Sequence, residues 1–546
     1  MPRTVGRILW YATGSVAAVA CVTVAACVAA AAEQLASAPS TAPVTAPSDA
    51  RPRLALAGFE MDSAADPRDV WIATAIEETL AWRLRRVPAL IVVPTVRAHQ
   101  ARRELQEDGG APPAWPRVVA ALGAQRMVTG RCQGPADAVV LRLALLELVP
   151  APHTQAEIAL PAQRLFSVLD AATRWILEHV GVIALAPEDE RLVFSPPARS
   201  PSALEYYARA VAAARADQFQ DAGYCALQSL EYDNRYRPAL AMLGQLELQR
   251  GGAGLAAAGA RLRLLADLAQ MQRDPLDWAV AELGQATLLQ LSGGCEAAYT
   301  RCETSLGISY ERREPYGQLA AINALCDLYL TWRFPTGGEP SEEQRKRFDR
   351  QSLRRAAEWQ EVGLELLAQL GDVVAEAPAA NKLALTYERL GEKDRALALH
   401  QRTRTAAERC GSKRNQATAW LYLGQWYQRE QRWSEALDAM QRSLALASEA
   451  MQPVARLALA GVLQGQGNPA EALAQLQLAY TKLRAGDDLV SQLICARQIA
   501  ELRMQLGQRE PALAALQEAI DLAHVLERPE EAALREKLAE WQKQSP

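Results

Sequence analysis

The feature that most constrains this chain is a spaced set of five residues: Trp420, Leu423, Gly424, Tyr427 and Ala436. Residues three and four apart are neighbours on a helix surface, so the first four share one helical face. Ala436 falls on a second helix, beyond a turn at Gln431-Arg432-Trp433. A ring, an aliphatic side chain, a residue without bulk and a second ring, followed by Ala on the next helix, describe two antiparallel helices in close approach. Such a pair cannot bury its apolar face alone and must be stacked on others. The pattern recurs. Ala210 and Gly244 are equivalent small positions, and the pairs Ala396-Leu397, Ala436-Leu437, Ala472-Leu473 and Ala512-Leu513 each follow a turn. Between Gly284 and Ala357 the register blurs, and the charged stretch Pro340 to Arg350 reads as a longer connection or an extended helix. Six or seven helix pairs are expected over residues 201–546, closed by a polar helix from Arg528 to Lys543.

These residues and spacings resemble the tetratricopeptide repeat (TPR) family. The resemblance implies an all-α superhelical solenoid whose first helices line a groove for protein or peptide partners. In this chain the implied groove positions are Leu421, Gln425, Gln428 and Arg429 in the best-matched unit. The preceding unit contributes Asn381, Glu388 and Arg389, and the last contributes Arg497 with Glu501. Arginine beside amide side chains can hold a carboxylate or the backbone of an extended peptide. The same residues also satisfy the simpler requirement that every helix of a soluble array keeps a polar face.

The amino-terminal third is different. Arg3 and Arg7 precede an uncharged run from Ile8 to Ala32, long enough to cross a bilayer as a helix. A positive flank followed by an apolar stretch has the form of an export signal. Residues 1–36 are therefore expected to stay as a membrane anchor, to be cleaved after small residues such as Ala30-Ala31-Ala32, or to be cut at Val24-Ala25-Ala26-Cys27 with Cys27 carrying the lipid. Each outcome places the bulk of the chain in the cell envelope, outside the cytoplasm. Residues 37–52 are rich in Ala, Pro, Ser and Thr and read as a linker.

Residues 53–195 read as a mixed α/β domain. Strands are expected at Leu54–Phe59, Ala89–Val93, Gln125–Arg131 and Ala138–Leu148. Helices are expected at Asp69–Arg86, around Arg97–Glu107, at Trp115–Leu122 and at Leu165–Val180. The strand to Phe59, the helix around Ala73–Leu84, Ile91-Val92-Val93-Pro94, the segment from Leu122-Gly123-Ala124 to Val128-Thr129-Gly130, and Leu165-Phe166 resemble the TolB-type amino-terminal domain, related to the FlgO and CsgG-like envelope domains. The expected fold is thus an α/β domain followed by an all-α TPR-like superhelical solenoid, mainly α overall.

The chain carries no recognisable catalytic constellation. A phosphate-cradling Gly-x-x-x-x-Gly-Lys-Ser/Thr segment, a His-Glu-x-x-His pair and a Gly-x-Ser-x-Gly elbow are all missing from its 546 residues. The five histidines, His99, His153, His179, His400 and His524, do not fall at metal-ligand spacing. Glu77-Glu78 reads as solvated charge, since helix neighbours point about 100° apart. Nine cysteines show no dense disulfide spacing; a Cys302–Cys326 bridge is conceivable, and burial as small apolar residues is the alternative. The net charge of −4, with Arg345-Lys346-Arg347 the densest basic run, gives no nucleic-acid footprint. The sequence therefore implies no enzyme, cofactor or metal. It implies a scaffold for proteins or peptides, touching membrane only through its amino terminus. The alternative is a sensory or regulatory module whose α/β domain binds a small ligand and relays to the array.

Overall fold

The computed structural model describes residues 50–543, apart from 63–65, 107–109, 150, 197, 253, 333–340 and 487. The leader, with Cys27, and all but the end of the linker lie outside the described residues.

Five strands form one sheet: β1 (Arg53–Met61), β2 (Ile91–Val93), β3 (Arg126–Gln133), β4 (Val139–Glu147) and β5 (His153–Gln163). Their order is β2-β1-β3-β4-β5, parallel around β1 and antiparallel from β3 to β5. The helices are α1 (Trp71–Leu84), α2 (Thr95–Leu105), α3 (Trp115–Ala121), α4 (Leu165–His179) and α5 (Pro187–Val193). Alternation along the strands sends Leu54, Leu56, Val128, Leu141, Leu143 and Leu145 to the face covered by α1 and α4. Ala55, Ala57, Ile91, Val93 and Met127 point to the other face, under α2 and α3. Met127 and Leu146 are still covered, but toward the end of β3 and the start of β4 that second face opens, and Arg131, Gln133 and Arg142 are exposed there. Two elements were not expected from the sequence, β5 and α5. β5 is polar and contains Pro161, a composition tolerated on an edge strand and weak as a strand signal.

Eight helix pairs follow: α6 (Pro201–Arg215) with α7 (Phe219–Tyr232), α8 (Arg237–Arg250) with α9 (Gly254–Met271), α10 (Pro275–Leu291) with α11 (Cys295–Glu311), and α12 (Pro315–Thr331) with α13 (Glu342–Leu370). Then come α14 (Val373–Leu390) with α15 (Lys393–Cys410), α16 (Lys413–Arg429) with α17 (Trp433–Leu446), α18 (Gln452–Gly465) with α19 (Pro469–Leu483), and α20 (Leu489–Gln505) with α21 (Arg509–Val525). The polar α22 (Glu530–Lys543) closes the array. The count exceeds six or seven because the blurred stretch resolves into ordinary pairs. The charged run after Pro340 becomes the start of α13, a 29-residue helix opened by a Ser341/Gln344 capping box. Gly424 sits where the repeat spacing requires: a Cβ there would meet Met440 at 3.0 Å and Ala439 at 3.2 Å on the second helix. The seven described cysteines are free thiols, so no Cys302–Cys326 bridge exists. Burial drives both thiols up to about 12.

The α/β domain is docked onto the array by arginines. The turns linking one helix pair to the next end in a carboxylate that caps the following first helix. Asp274 accepts from the Asp277 N–H, Glu314 from Gly317 and Asp372 from Ala375. Each of these caps also takes a guanidinium from the α/β domain. Arg86 reaches Asp274 at 2.8 Å, Arg85 reaches Glu314 at 3.0 Å, and Arg97 grips both oxygens of Asp372 at 3.0 Å. A second arginine meets the carbonyls that end the preceding helix: Arg191 donates to Gln272 O at 2.7 Å, Arg51 to Arg313 O at 2.7 Å, and Arg53 to Gln369 O at 2.8 Å. Carbonyls at a helix carboxyl end carry partial negative charge, so cations are favoured there. At the next turn the pattern becomes neutral, Ser412 donating to Glu104 O at 3.3 Å. Between the polar contacts, Tyr316, Leu370, Val374 and Cys410 complete the apolar core of α2 and α3.

Candidate functional site: the first-helix face of the array

The first helix of the array, α6, is already occupied. Leu204 and Ala208 are fully buried in the same core as α1, with Tyr207 packed against it. Arg215, five residues beyond the small contact residue Ala210, reaches both carboxylates of α1: Glu77 at 3.0 Å and Glu78 at 2.5 Å. This corrects the expectation that Glu77-Glu78 is solvated charge. One guanidinium nitrogen, Nη2, bridges the two side chains although they point apart, because it carries two N–H donors and lies between them. Burial pushes the Glu78 carboxyl above its ordinary value, and Arg215 works against that shift. His99 completes the cluster, 3.2 Å from Glu77 and edge-on to Trp115.

Arg429 occupies the same place in α16 that Arg215 occupies in α6, five residues beyond Gly424. Arg429 is half-exposed and meets Glu388 of α14 at 2.7 Å. Glu388 also accepts from His400 at 2.8 Å, a fully buried side chain whose Nδ1 has no partner. Burial opposes ionisation of Glu388, but His400 and Arg429 together hold its carboxyl below the ordinary range. Gln428 lies against Gly461 of α18, where a Cβ would meet its amide nitrogen at 2.9 Å. Gly461 and Gly465 thus leave the adjoining stretch of α18 without side-chain bulk, and Gln428 and Trp433 pack over it.

Two groove residues are brought together, Glu388 and Arg429, in an ion pair, while Gln428 lies against Gly461 of α18. Gln425 and Arg497 are part-exposed, and Arg389 is exposed. Asn381 is nearly buried and its Oδ1 has no hydrogen-bond partner. Leu421 belongs to the apolar core. Sequence reasoning missed His400, because a histidine on a second helix carries no groove signal until the packing places it behind Glu388. Among the described residues no group of three His, Cys, Asp or Glu side chains could hold a metal ion. No described helix is long and apolar enough to cross a membrane. The α/β domain has an open depression of about 420 Å³ lined by Arg174, Leu177, Val182, Leu185 and Phe194, with the Arg174 guanidinium 4.5 Å over the Phe194 ring.

Residues 375–449 match the tetratricopeptide repeat family model. No curated protein matches this chain. Among solved structures, it is similar to a signal transduction ATPase with numerous domains (STAND) protein with a tetratricopeptide repeat sensor from Pyrococcus horikoshii, at 14% identity and a TM-score of 0.44, covering 72% of this chain and 58% of that one. It therefore spans a little over half of that protein's length. RapI in its apo form aligns at 12% identity and a TM-score of 0.42, over 62% of this chain and 97% of that one. BtubC (BKLC) from P. vanneervenii aligns at 21% identity and a TM-score of 0.35, over 44% and 91% respectively. Residues 375–449 thus carry tetratricopeptide repeats, and repeats of this kind mediate protein–protein interaction.

Proposed function

We propose that this chain is a non-enzymatic scaffold of the cell envelope that binds protein partners in the face lined by α14, α16, α18 and α20. A segment bearing carboxylates is the partner chemistry that this face suits. One observation carries the reading: in α6, Arg215 already holds two carboxylates of a protein helix, and Arg429 repeats that position on a face the α/β domain leaves open. Among the described residues an incoming carboxylate has to displace only Glu388, because Arg429 is half-exposed and makes a single ion pair there. The envelope part of the proposal rests on Arg3, Arg7 and the uncharged run from Ile8 to Ala32, and on the TolB-type resemblance of residues 53–195.

The test is crosslinking in intact cells, followed by capture of the chain and mass spectrometry, with the wild type beside a Gln425→Ala/Arg429→Glu variant. A partner captured by the wild type and lost in the variant supports the groove. Identical partners in both refute it as the working surface. Helical content of the variant, measured by circular dichroism, guards against simple unfolding. Recovery of the chain in the cytosolic fraction would refute the envelope assignment.

A further inference from the structure

Strand β5 ends the sheet, and its outer backbone edge pairs with nothing among the described residues. Edge strands are normally blunted, because an unpaired row of N–H and C=O groups templates another strand. Here the central residues Ala156 to Leu160 carry a single charge, Glu157, and Pro161 blocks only one end. On the helix-covered face, Ile158 lies beside Leu143 and Ala156 beside Leu145. The β4 leucines are buried, whereas Ile158 and Ala156 are only part-buried, so this apolar layer stops unfinished at the edge. On the open face Arg131 and Arg142 are directly opposed and both exposed, an arrangement that costs stability unless something offsets it. Arg142 is in turn beside Ala159, and Glu157 is exposed. β5 makes no hydrogen bond or ion pair with the array among the described residues, so docking of the helices leaves it accessible.

We propose that β5 pairs antiparallel with the β5 of a second copy of this chain, about a two-fold axis at Ile158, joining the two sheets into one. Such an interface is isologous, each residue's contact being returned by symmetry. Ile158 then faces its own counterpart and Ala156 faces the second copy's Leu160, which completes the apolar layer on both sides. On the open face Glu157 of the second copy lies opposite Ala159, in the row that holds Arg142 and Arg131. Arg142 and that carboxylate are two strand spacings apart, about 9.5 Å, with only a methyl group between them. Two extended side chains span that gap. The two-fold repeats the pair, so the two opposed guanidiniums of each sheet, which have their own chain's Glu157 on the diagonal beside Arg142, gain one further carboxylate. Pro161 falls opposite Gln155 and ends the ladder at both sides.

The test uses the purified full chain. Directly opposed residues of an antiparallel pair have Cα atoms about 4.5–5.5 Å apart, inside the range a disulfide spans. Mild oxidation of Ile158→Cys should therefore give a crosslinked dimer far above the parent protein, which reports any background from the part-exposed Cys225 and Cys295. Glu157→Cys, whose counterpart lies on a diagonal, should not. By sedimentation, Glu157→Arg should weaken the dimer severalfold, and Arg142→Glu/Glu157→Arg should restore it. Crosslinking of Ile158→Cys no greater than the parent's overturns the proposal. So does a wild-type chain that stays monomeric at the highest concentration reached, which would leave the edge to a strand from another protein.

Discussion

Gly123 offers a direct measurement of how firmly the α/β domain is seated. It follows α3 in the left-handed region, at φ +74°, with its Cα against the end of α13. A Cβ at this position would stand 1.8 Å from the Leu370 carbonyl oxygen and 2.9 Å from its carbon. Contacts below 3.0 Å are essentially never seen, and the obstacle is backbone held in a helix end, so no side chain can swing away. Gly123→Ala must displace the turn after α13 by about 1 Å or more, and overpacking of that kind costs about 1–3 kcal/mol. The left-handed backbone adds about 1–2 kcal/mol for any residue with a Cβ. Gly181 separates the two contributions. Its φ is +86° and nothing lies within 4 Å of its would-be Cβ, so Gly181→Ala carries the backbone cost alone. The expected result in urea unfolding, followed by circular dichroism, is a loss of about 2–5 kcal/mol for Gly123→Ala and about 1–2 kcal/mol for Gly181→Ala. Protease should also cut between the α/β domain and the array faster in Gly123→Ala alone. Equal losses in the two variants would refute the seating of Gly123 on Leu370.

Other perturbations test separate links. Arg97→Ala strands Asp372, a side chain only 1% exposed, and an uncompensated buried carboxylate costs about 3–5 kcal/mol in the unfolding free energy. Gly424→Leu pushes into Met440 and Ala439 and should cost about 1–3 kcal/mol, read as a lower melting temperature; an unchanged melt would contradict the helix register. Burial opposes ionisation of Asp274, but Arg86 and Arg237 hold its carboxyl below the ordinary value. A depressed native pKa contributes stability that is fully present above the unfolded value, about 3.9, and is lost as pH falls through the native one. Stability should therefore decline in acid below about pH 4, and Asp274→Asn should start lower and lose less across that window, as measured by unfolding at stepped pH.

The repeats were legible because their signal is local. Trp420, Leu423, Gly424 and Tyr427 lie within two turns of one helix, and Gly424 meets Met440 and Ala439 as that spacing demands. The same holds for β1, α1, β2 and α4, whose apolar runs mark single elements. What stayed hidden depends on distant partners. Asp274, Glu314 and Asp372 look like ordinary helix caps, and nothing in their neighbourhoods announces Arg86, Arg85 and Arg97. Glu77 and Glu78 read as solvated because the residue that joins them, Arg215, lies over a hundred residues away. The groove was visible only as a set of positions. That Arg429 would be tied to Glu388, with buried His400 behind it, follows from the stacking of three helices rather than from any one of them.

A solenoid held only by nearest-neighbour contacts acts as a spring, since small rotations at each joint sum into a change of pitch. The row of capped turns from Asp274 to Ser412 is bolted to a single sheet-based block, so those joints cannot rotate independently. Beyond Ser412 the joints at Met451 and Asp488 carry no such bolt among the described contacts. The molecule is therefore a stiff handle with a compliant tip. Any change of curvature on engaging a partner is concentrated in the last three helix pairs, where Arg429 and Arg497 lie.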